Sequence, residues 1–380
     1  MAGSCLPQPR QLSLSPAPRR AQSVDVIPEG NRFESDPVEV LPEDPGLPHG
    51  WQAGSIDGGD PTEVERLTEL LRAHERAGRG WASGSEDDVL VEVQGLAMRE
   101  NVVLRDEAGV IRAWGSVHDR AEGRMLLVHI VDQTLPAAVA GACSDLLFAW
   151  AHGQAERLGA ERGRTVQQID TGAFADDERQ HGWLEAAGFS KVRTWWQMSR
   201  SVVGEEAELV TDPARWERDG VVFRRVERQG DGMPDVADLR AVHDVIEGAF
   251  TDHFNSAGET FHEFLHRLRE DPGHRWDHWW LAEMDGVAAG ALVGTVSEGG
   301  SGPDGSYVAY LGVLASARGR GVAKGLLHTI IADAAVHGRD RVGLEVDADS
   351  PTGADGLYVA MGWGTKYVTE SWHKDVPVPG

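Results

Sequence analysis

Cysteine is nearly missing from this chain: two residues, Cys5 and Cys143, stand among 380, which excludes a disulfide framework and offers no zinc-ligand spacing. Cys143 falls in a predicted helix and reads as a small buried apolar residue. Positive charge is scarce too. Lys and Arg number 36 against 61 Asp and Glu, a net charge of -25, and nucleic acid is therefore not an expected partner, because phosphate backbones need a basic face. Lysine occurs only at Lys191, Lys324, Lys366 and Lys374. Such a bias toward arginine reads as a GC-rich coding background, and the acidic surface could alternatively steer a cationic amine substrate. No apolar run approaches a membrane span, so no membrane partner is expected. Between Arg10 and Arg19 the segment Leu-Ser-Leu-Ser-Pro-Ala-Pro provides no apolar core for a secretory signal, and the expected compartment is the cytoplasm.

What is present suffices for two ordinary domains with cores: 41% of residues are apolar and 26% charged. Residues 1–45, rich in Pro, Ser, Glu and Asp, read as a disordered or loosely attached arm. Periodicity and turn residues then predict a strand at 50–56, helices at 61–77 and 86–98, strands at 101–106, 110–118 and 125–131, a helix at 136–158, a strand at 165–170, a helix at 177–187 and a strand at 191–202. The second half repeats this order. It has a strand at 221–227, helices at 235–250 and 260–269, strands at 279–284, 287–295 and 307–314, a helix at 324–337, a strand at 341–347, a helix at 354–361 and a strand at 366–373. Gly182 to Phe189 aligns without gaps to Gly356 to Trp363, each with a glycine and then an aromatic after a helix. Duplication is the simplest account, with domains at 46–202 and 220–380 and a linker at 203–219.

The segment Arg318-Gly319-Arg320-Gly321-Val322-Ala323 follows the apolar run Tyr307 to Leu314 and opens an amphipathic helix. A strand, a glycine-rich turn and a helix start form a pyrophosphate cradle, because bare backbone N–H groups approach phosphate closely and the helix dipole favours the anion. The spacing matches neither Gly-x-x-x-x-Gly-Lys-Ser/Thr nor Gly-x-Gly-x-x-Gly at a first βα turn. It fits Gln/Arg-x-x-Gly-x-Gly/Ala, and on this strand, turn and helix it resembles the coenzyme A loop of the GCN5-related N-acetyltransferase (GNAT) superfamily.

The resemblance implies an α/β (or α+β) architecture of two tandem GNAT folds, each a mixed, mostly antiparallel twisted sheet flanked by helices, similar to mycothiol synthase and other two-lobed acetyltransferases. It implies an acyl-CoA-dependent N-acyltransferase with acetyl-CoA as co-substrate and no metal, acting on a small-molecule or peptide amine by direct attack in a ternary complex. A non-catalytic acyl-CoA sensor and a transferase for longer acyl chains are the alternatives. Carried over residue by residue, Leu311, Gly312 and Val313 present backbone groups to the pantetheine arm. Gly319, Arg320, Gly321, Val322, Ala323 and Lys324 line the pyrophosphate, the side chains of Arg320 and Lys324 either touching phosphate or lying solvated. Ser350 stands near the cofactor-contacting asparagine of many relatives, in a loop with one residue inserted. Tyr358, in Gly-Leu-Tyr-x-x-x-Gly-Trp, occupies the place of the tyrosine that protonates the departing thiolate; its bland alternative is a helical tyrosine covering core.

The attacking amine must lose its charge, so a base is needed near the thioester. Glu345 leads, since a carboxylate between Leu344 and Val346 is expected to be half buried; a structural ion pair is the competing reading. Asp347, Tyr307, Tyr310 and His373 are the other candidates. Strict alternation would put Tyr307, Ala309, Leu311 and Val313 on one face of their strand. His262 and His266 stand one helical turn apart among His253, His274 and His278, a spacing that suits either a metal or ordinary pocket histidines. In the first half Asp132-Gln133-Thr134-Leu135-Pro136 replaces the cradle and Leu184 replaces the tyrosine, so that lobe is expected to keep the fold without the chemistry. Oligomeric state is open between monomer and homodimer.

Overall fold

The computed structural model describes residues 41, 46–94, 99–120, 123–230, 232–250, 260–270, 274–297, 302–349 and 353–379. The predicted arm, apart from Leu41 here, lies outside them, as do Ser350 and His253 and the side chain of His266.

Strands β1 (Gln52–Gly54), β2 (Arg99–Arg105), β3 (Ile111–Arg120), β4 (Arg124–Val131), β5 (Val166–Phe174) and β6 (Ser190–Ser201) come from the first half, with helices α1 (Pro61–Arg79), α2 (Glu86–Gln94), α3 (Ala137–Glu161) and α4 (Glu178–Ala186). The second half supplies β7 (Arg215–Arg218), β8 (Val221–Arg225), α5 (Val236–Phe250), α6 (Phe261–Glu270), β9 (His274–Met284), β10 (Val287–Ser297), β11 (Gly305–Val313), α7 (Val322–Val336), β12 (Arg341–Asp347), α8 (Ala354–Ala360) and β13 (Gly364–Pro377). Local chemistry accounts for the ends. Asp60 caps α1 by accepting from Thr62 N at 2.8 Å, Pro61 takes the first position, and Val64, Leu67, Leu70 and Leu71 are buried on one stripe. Both aligned helices stop alike: Phe189 N donates to Leu184 O at 2.9 Å and Trp363 N to Tyr358 O at 3.0 Å, the six-residue closure of a Schellman stop.

Two compact units result, and they do not follow the predicted boundaries at 202 and 220. One holds Trp195–Lys366; the other ends with Tyr367–Gly380 after the residues up to Thr194. In the carboxy-terminal lobe the sheet order is β6-β12-β11-β10-β9-β8-β7, and in the amino-terminal lobe it is β1-β2-β3-β4-β5-β13. β13 runs antiparallel to β5 from Thr369↔Phe174 to Pro377↔Val166, and β6 runs antiparallel to β12 from Trp195↔Asp347 to Ser201↔Arg341. Each sheet is thus closed by a strand that the other half of the sequence encodes. Periodicity reports that a segment is a strand but not which edge it pairs with, so this exchange is invisible in the sequence. The stretch expected to be a plain linker contains β7, paired with β8, and a 3-10 turn at Gly204–Leu209.

In the carboxy-terminal lobe two cores lie on opposite faces of the sheet. Leu326, Leu327, Ile330 and Ile331 of α7 pack with Phe223, Trp280, Leu292, Val308, Leu344 and Val346. Leu239, Val242, Val245 and Ile246 of α5 pack with Phe264, Trp279, Leu281, Ala291, Val293 and Tyr310. In the amino-terminal lobe α3 packs Leu147, Trp150, Ala151 and Leu158 against Val102, Ala113, Val117, Met125 and Ile169.

Candidate active site

The parallel pair β11 and β12 keeps register only from Gly305↔Arg341 to Val308↔Leu344. Beyond that point β11 runs on for five residues to Val313 while β12 runs on to Asp347, so the two strands part and leave two facing backbone edges. A bulge sits at the divergence: β10 pairs Val293 with Tyr310 and Gly294 with Val308, which leaves Ala309 as the extra residue. The bulge inverts the expected alternation. Val308 joins Leu311 and Val313 on the α7 face, Ala309 and Tyr310 turn to the α5 face, and Tyr307 does not share a face with Leu311. Leu314 N donates to Ala289 O at 3.0 Å on the β10 side. By the period of two, the N–H and C=O of Leu311 and Val313 point to the open edge.

After β11 comes a 3-10 turn, Ala315–Ala317, and then the glycine loop. Gly319 has φ 74° and Gly321 φ 76°, values at which any side chain is strained, and a Cβ at either would meet open space. Gly321 is the N-cap of α7 and accepts from Gly325 N at 2.9 Å, so helix geometry leaves Val322, Ala323 and Lys324 N–H without an intrahelical acceptor. No acidic residue stands in the first turn. Gly319, Arg320, Gly321 and Lys324 are exposed, Val322 is buried, and Arg320 N turns inward to Ala317 O at 3.4 Å. The arrangement fits an anion such as a diphosphate: free amides, no carboxylate in the first turn and the positive end of a fifteen-residue helix.

Tyr358 lies on α8, 8% exposed, among Leu344, Val346 and Trp363, with its ring 6.0 Å from that of Trp363. Burial pushes its phenol up to about 12, which keeps the proton on the oxygen at any ordinary pH. Glu345 follows Leu344, the last residue of β12 paired with β11, and is partly exposed. Its carboxylate accepts from the Gln197 amide of β6, its register partner. Alternation sets Glu345 on the face away from Leu344, Val346 and Tyr358. Tyr307 shares that face: its ring would touch a Cβ on Gly343 at 3.0 Å. Asp347 makes the turn after β12 by accepting from Asp349 N at 2.9 Å. Tyr310 is buried under α5 and α6, 6.4 Å from the Phe264 ring. His373 belongs to the sheet of the amino-terminal lobe, opposite Asp170 and 3.1 Å from Gln168 Nε2, and is not on a strand paired with β12. Among the described residues no three His, Cys, Asp or Glu converge as a metal site.

The amino-terminal lobe repeats the frame without these features. β4 and β5 keep register to Leu127↔Thr171 and then part, and Asp132 N donates to Arg112 O at 2.8 Å as Leu314 N does to Ala289 O. Here the register of β3 with β4 runs from Ala113↔Val131 to Arg120↔Arg124 without a shift, so the bulge has no counterpart. Arg179 of α4 lies over the Trp183 ring at 4.6 Å and donates to Val131 O at 3.3 Å, filling the edge that stays open at Val313. Asp132, where a phosphate loop would begin, is bound by Arg112 at 3.1 Å, Arg66 at 3.3 Å and Thr134 N at 2.9 Å. Burial works against its charge, yet the bonds from Thr134 and Arg112 hold its carboxyl below the usual range. Leu184 is fully buried at the place of Tyr358.

Three features that position the site escaped the reading of the sequence: the bulge at Ala309, the strand at Arg215–Arg218, and the glycines at 290 and 325, at which α7 approaches the sheet. An isolated glycine inside a strand or a helix is the available signal for the last pair.

Residues 240–363, from within α5 to Trp363, match the model of the Acetyltransferase (GNAT) family. The fold as a whole is that of tandem GNAT proteins. The chain is similar to a GCN5-related N-acetyltransferase from Sphaerobacter thermophilus, with 23% identity, TM-score 0.67 and coverage of 88% of this chain and 98% of that one. It is similar to a tandem GNAT protein from the clavulanic acid biosynthesis pathway, with 14% identity, TM-score 0.62 and coverage of 87% and 100%. N-myristoyltransferase of Saccharomyces cerevisiae, solved with bound myristoyl-CoA, shares the fold at 12% identity and TM-score 0.54, covering 94% of this chain and 86% of that one. No curated protein matches the chain by sequence. No helix among the described residues is long and apolar enough to cross a membrane.

Proposed function

We propose that the protein is an acyl-CoA-dependent N-acyltransferase whose carboxy-terminal lobe transfers an acyl group, acetyl in the first instance, to a primary amine of a small molecule or peptide in the cytoplasm. The observation that carries this reading is the parting of β11 from β12 directly before the amide-rich start of α7. The loop amides from Gly319 to Lys324 hold the diphosphate, and the open edge at Leu311 and Val313 bonds the pantetheine arm as a short strand would. Val313 N–H polarises the thioester carbonyl. The amine nitrogen forms the new C–N bond and the C–S bond breaks. Glu345, held by Gln197, takes the proton the amine loses, and Tyr358 gives its proton to the departing sulfur. Direct transfer needs no nucleophile on the protein, and the chain's only described cysteine, Cys143, is buried, with its thiol pushed up to about 12 by that burial.

Calorimetric titration with acetyl-CoA, followed by a panel of amines with thiol release monitored, tests the reading. Expected are saturable binding and turnover with at least one amine class. Absence of binding overturns the assignment, and binding without turnover across the panel supports a sensor instead. Donors of increasing chain length in the same assay decide which acyl group is taken.

A further inference from the structure

The start of α7 does not simply follow the glycine loop; it is pressed onto the sheet at two bare backbone positions. A Cβ on Gly325 would overlap the Phe223 ring of β8. A Cβ on Gly290 of β10 would stand 2.5 Å from Val322 Cγ1 and 3.3 Å from Leu326 Cδ1. Gly290 is the register partner of Val313. The first residue of α7 therefore rests on the strand residue directly beside the proposed thioester end of β11.

A latch holds this approach from the other side. Trp216 of β7 stacks on Phe223, with ring centroids 4.4 Å apart and planes 15° from parallel. Its Nε1–H donates to Thr329 Oγ1 at 2.7 Å, and Thr329 Oγ1 donates in turn to Gly325 O at 3.0 Å. Thr329 and Gly325 are buried, so these bonds are made away from water and fix the helix in rotation as well as height. The closed circuit runs Gly325, Phe223, Trp216, Thr329 and back to Gly325. Trp216 lies in the stretch that joins the two repeats.

We infer that Gly290, Gly325 and Trp216 are positioning residues for the donor's diphosphate: they set the spacing between the amide end of α7 and the open edge at Val313, and so the length of carrier the site accepts. This rests on the acyl-CoA reading above. An added methyl at 325 or loss of the indole N–H at 216 would lift or turn the helix end while leaving the β11 edge in place.

The test compares Kd for acetyl-CoA with Kd for S-acetylpantetheine, which lacks the diphosphate, in the full chain carrying Trp216→Phe, Gly325→Ala, or Gly325→Ala with Phe223→Leu. For the two single variants the preference for acetyl-CoA should fall by about tenfold or more, up to the roughly 10²-fold that a 1 Å misplacement can cost. The added Phe223→Leu should restore a large part of it. A merely structural role would weaken both ligands alike and leave the ratio where it was, which overturns the inference. Trp216→Phe keeps ring and stack, so it decides the matter where Gly325→Ala fails to fold. Absence of acetyl-CoA binding by the unaltered chain sinks the acyl-CoA reading itself, and is distinguishable from an unchanged ratio.

Discussion

Val308 and Leu344 are the last register partners of β11 and β12, and the next residue of β11, Ala309, is the extra residue of the bulge. The order matters physically. A bulge adds local twist and turns the following side chains over, so the strand bends away from its parallel neighbour just where the backbone of Leu311 and Val313 becomes available. In the amino-terminal lobe Leu127 and Thr171 end their pairing in the same way, but an unbroken β3–β4 register and Arg179 close the edge.

Replacing Gly321 by valine places a β-branched side chain at φ 76°, in front of the free amides of α7. Strain of about 1–3 kcal/mol and lost anion access should weaken acetyl-CoA binding by tenfold or more in calorimetry. Binding as tight as that of the unaltered chain would remove the cradle from the donor site.

Tyr358→Phe deletes only the hydroxyl and keeps the ring in its apolar setting beside Trp363. If the phenol delivers a proton to sulfur, kcat should drop by about 10²–10⁴, with Kd for acetyl-CoA changed little. A chromatographic measure of turnover that shows an unchanged kcat would leave Tyr358 as a core residue.

One molecule of acyl-CoA per chain is the expected stoichiometry. Native mass spectrometry of the full chain with excess acetyl-CoA should show a single addition, because Arg179 occupies the Val131 edge and Asp132 presents a carboxylate where phosphate would lie. Two additions would mean that the amino-terminal lobe opens.

His129, 4% exposed and 3.0 Å from Ser144 Oγ, is pushed down to about 3 by burial. The unfolded chain takes up this proton near 6.5. Its contribution is therefore complete above about pH 6.5 and is lost as pH falls from there toward 3, at up to about 1.4 kcal/mol per pH unit. Urea unfolding at a series of pH values between 7.5 and 4.5 should show this loss, and His129→Asn should flatten the slope by about one proton. An equal slope in both would mean that His129 is not held neutral.

Much of the architecture was legible because it is local. Helix α1 announces itself through Asp60, Pro61 and its stripe of Val64, Leu67, Leu70 and Leu71, and the duplicated Schellman stops at Gly188 and Gly362 mark the repeat. The glycine loop was legible for the same reason: positive φ at residues 319 and 321 is a demand of the backbone that residue type alone reveals. By contrast the faces assigned along β11 failed at one residue, since a bulge forms only against a partner strand and strict alternation cannot foresee it.

By itself, then, the order of residues determined two αβ repeats, a helix start that gathers free amides in one of them and an acidic substitute in the other, all of which follow from turn chemistry and period. Tertiary structure decided which sheet receives β6 and which receives β13, where β11 leaves β12, and how closely α7 sits on Gly290. Those outcomes depend on hydrogen bonds and contacts between residues tens to hundreds of positions apart, and pairing energy of that kind leaves no periodic trace in either partner alone.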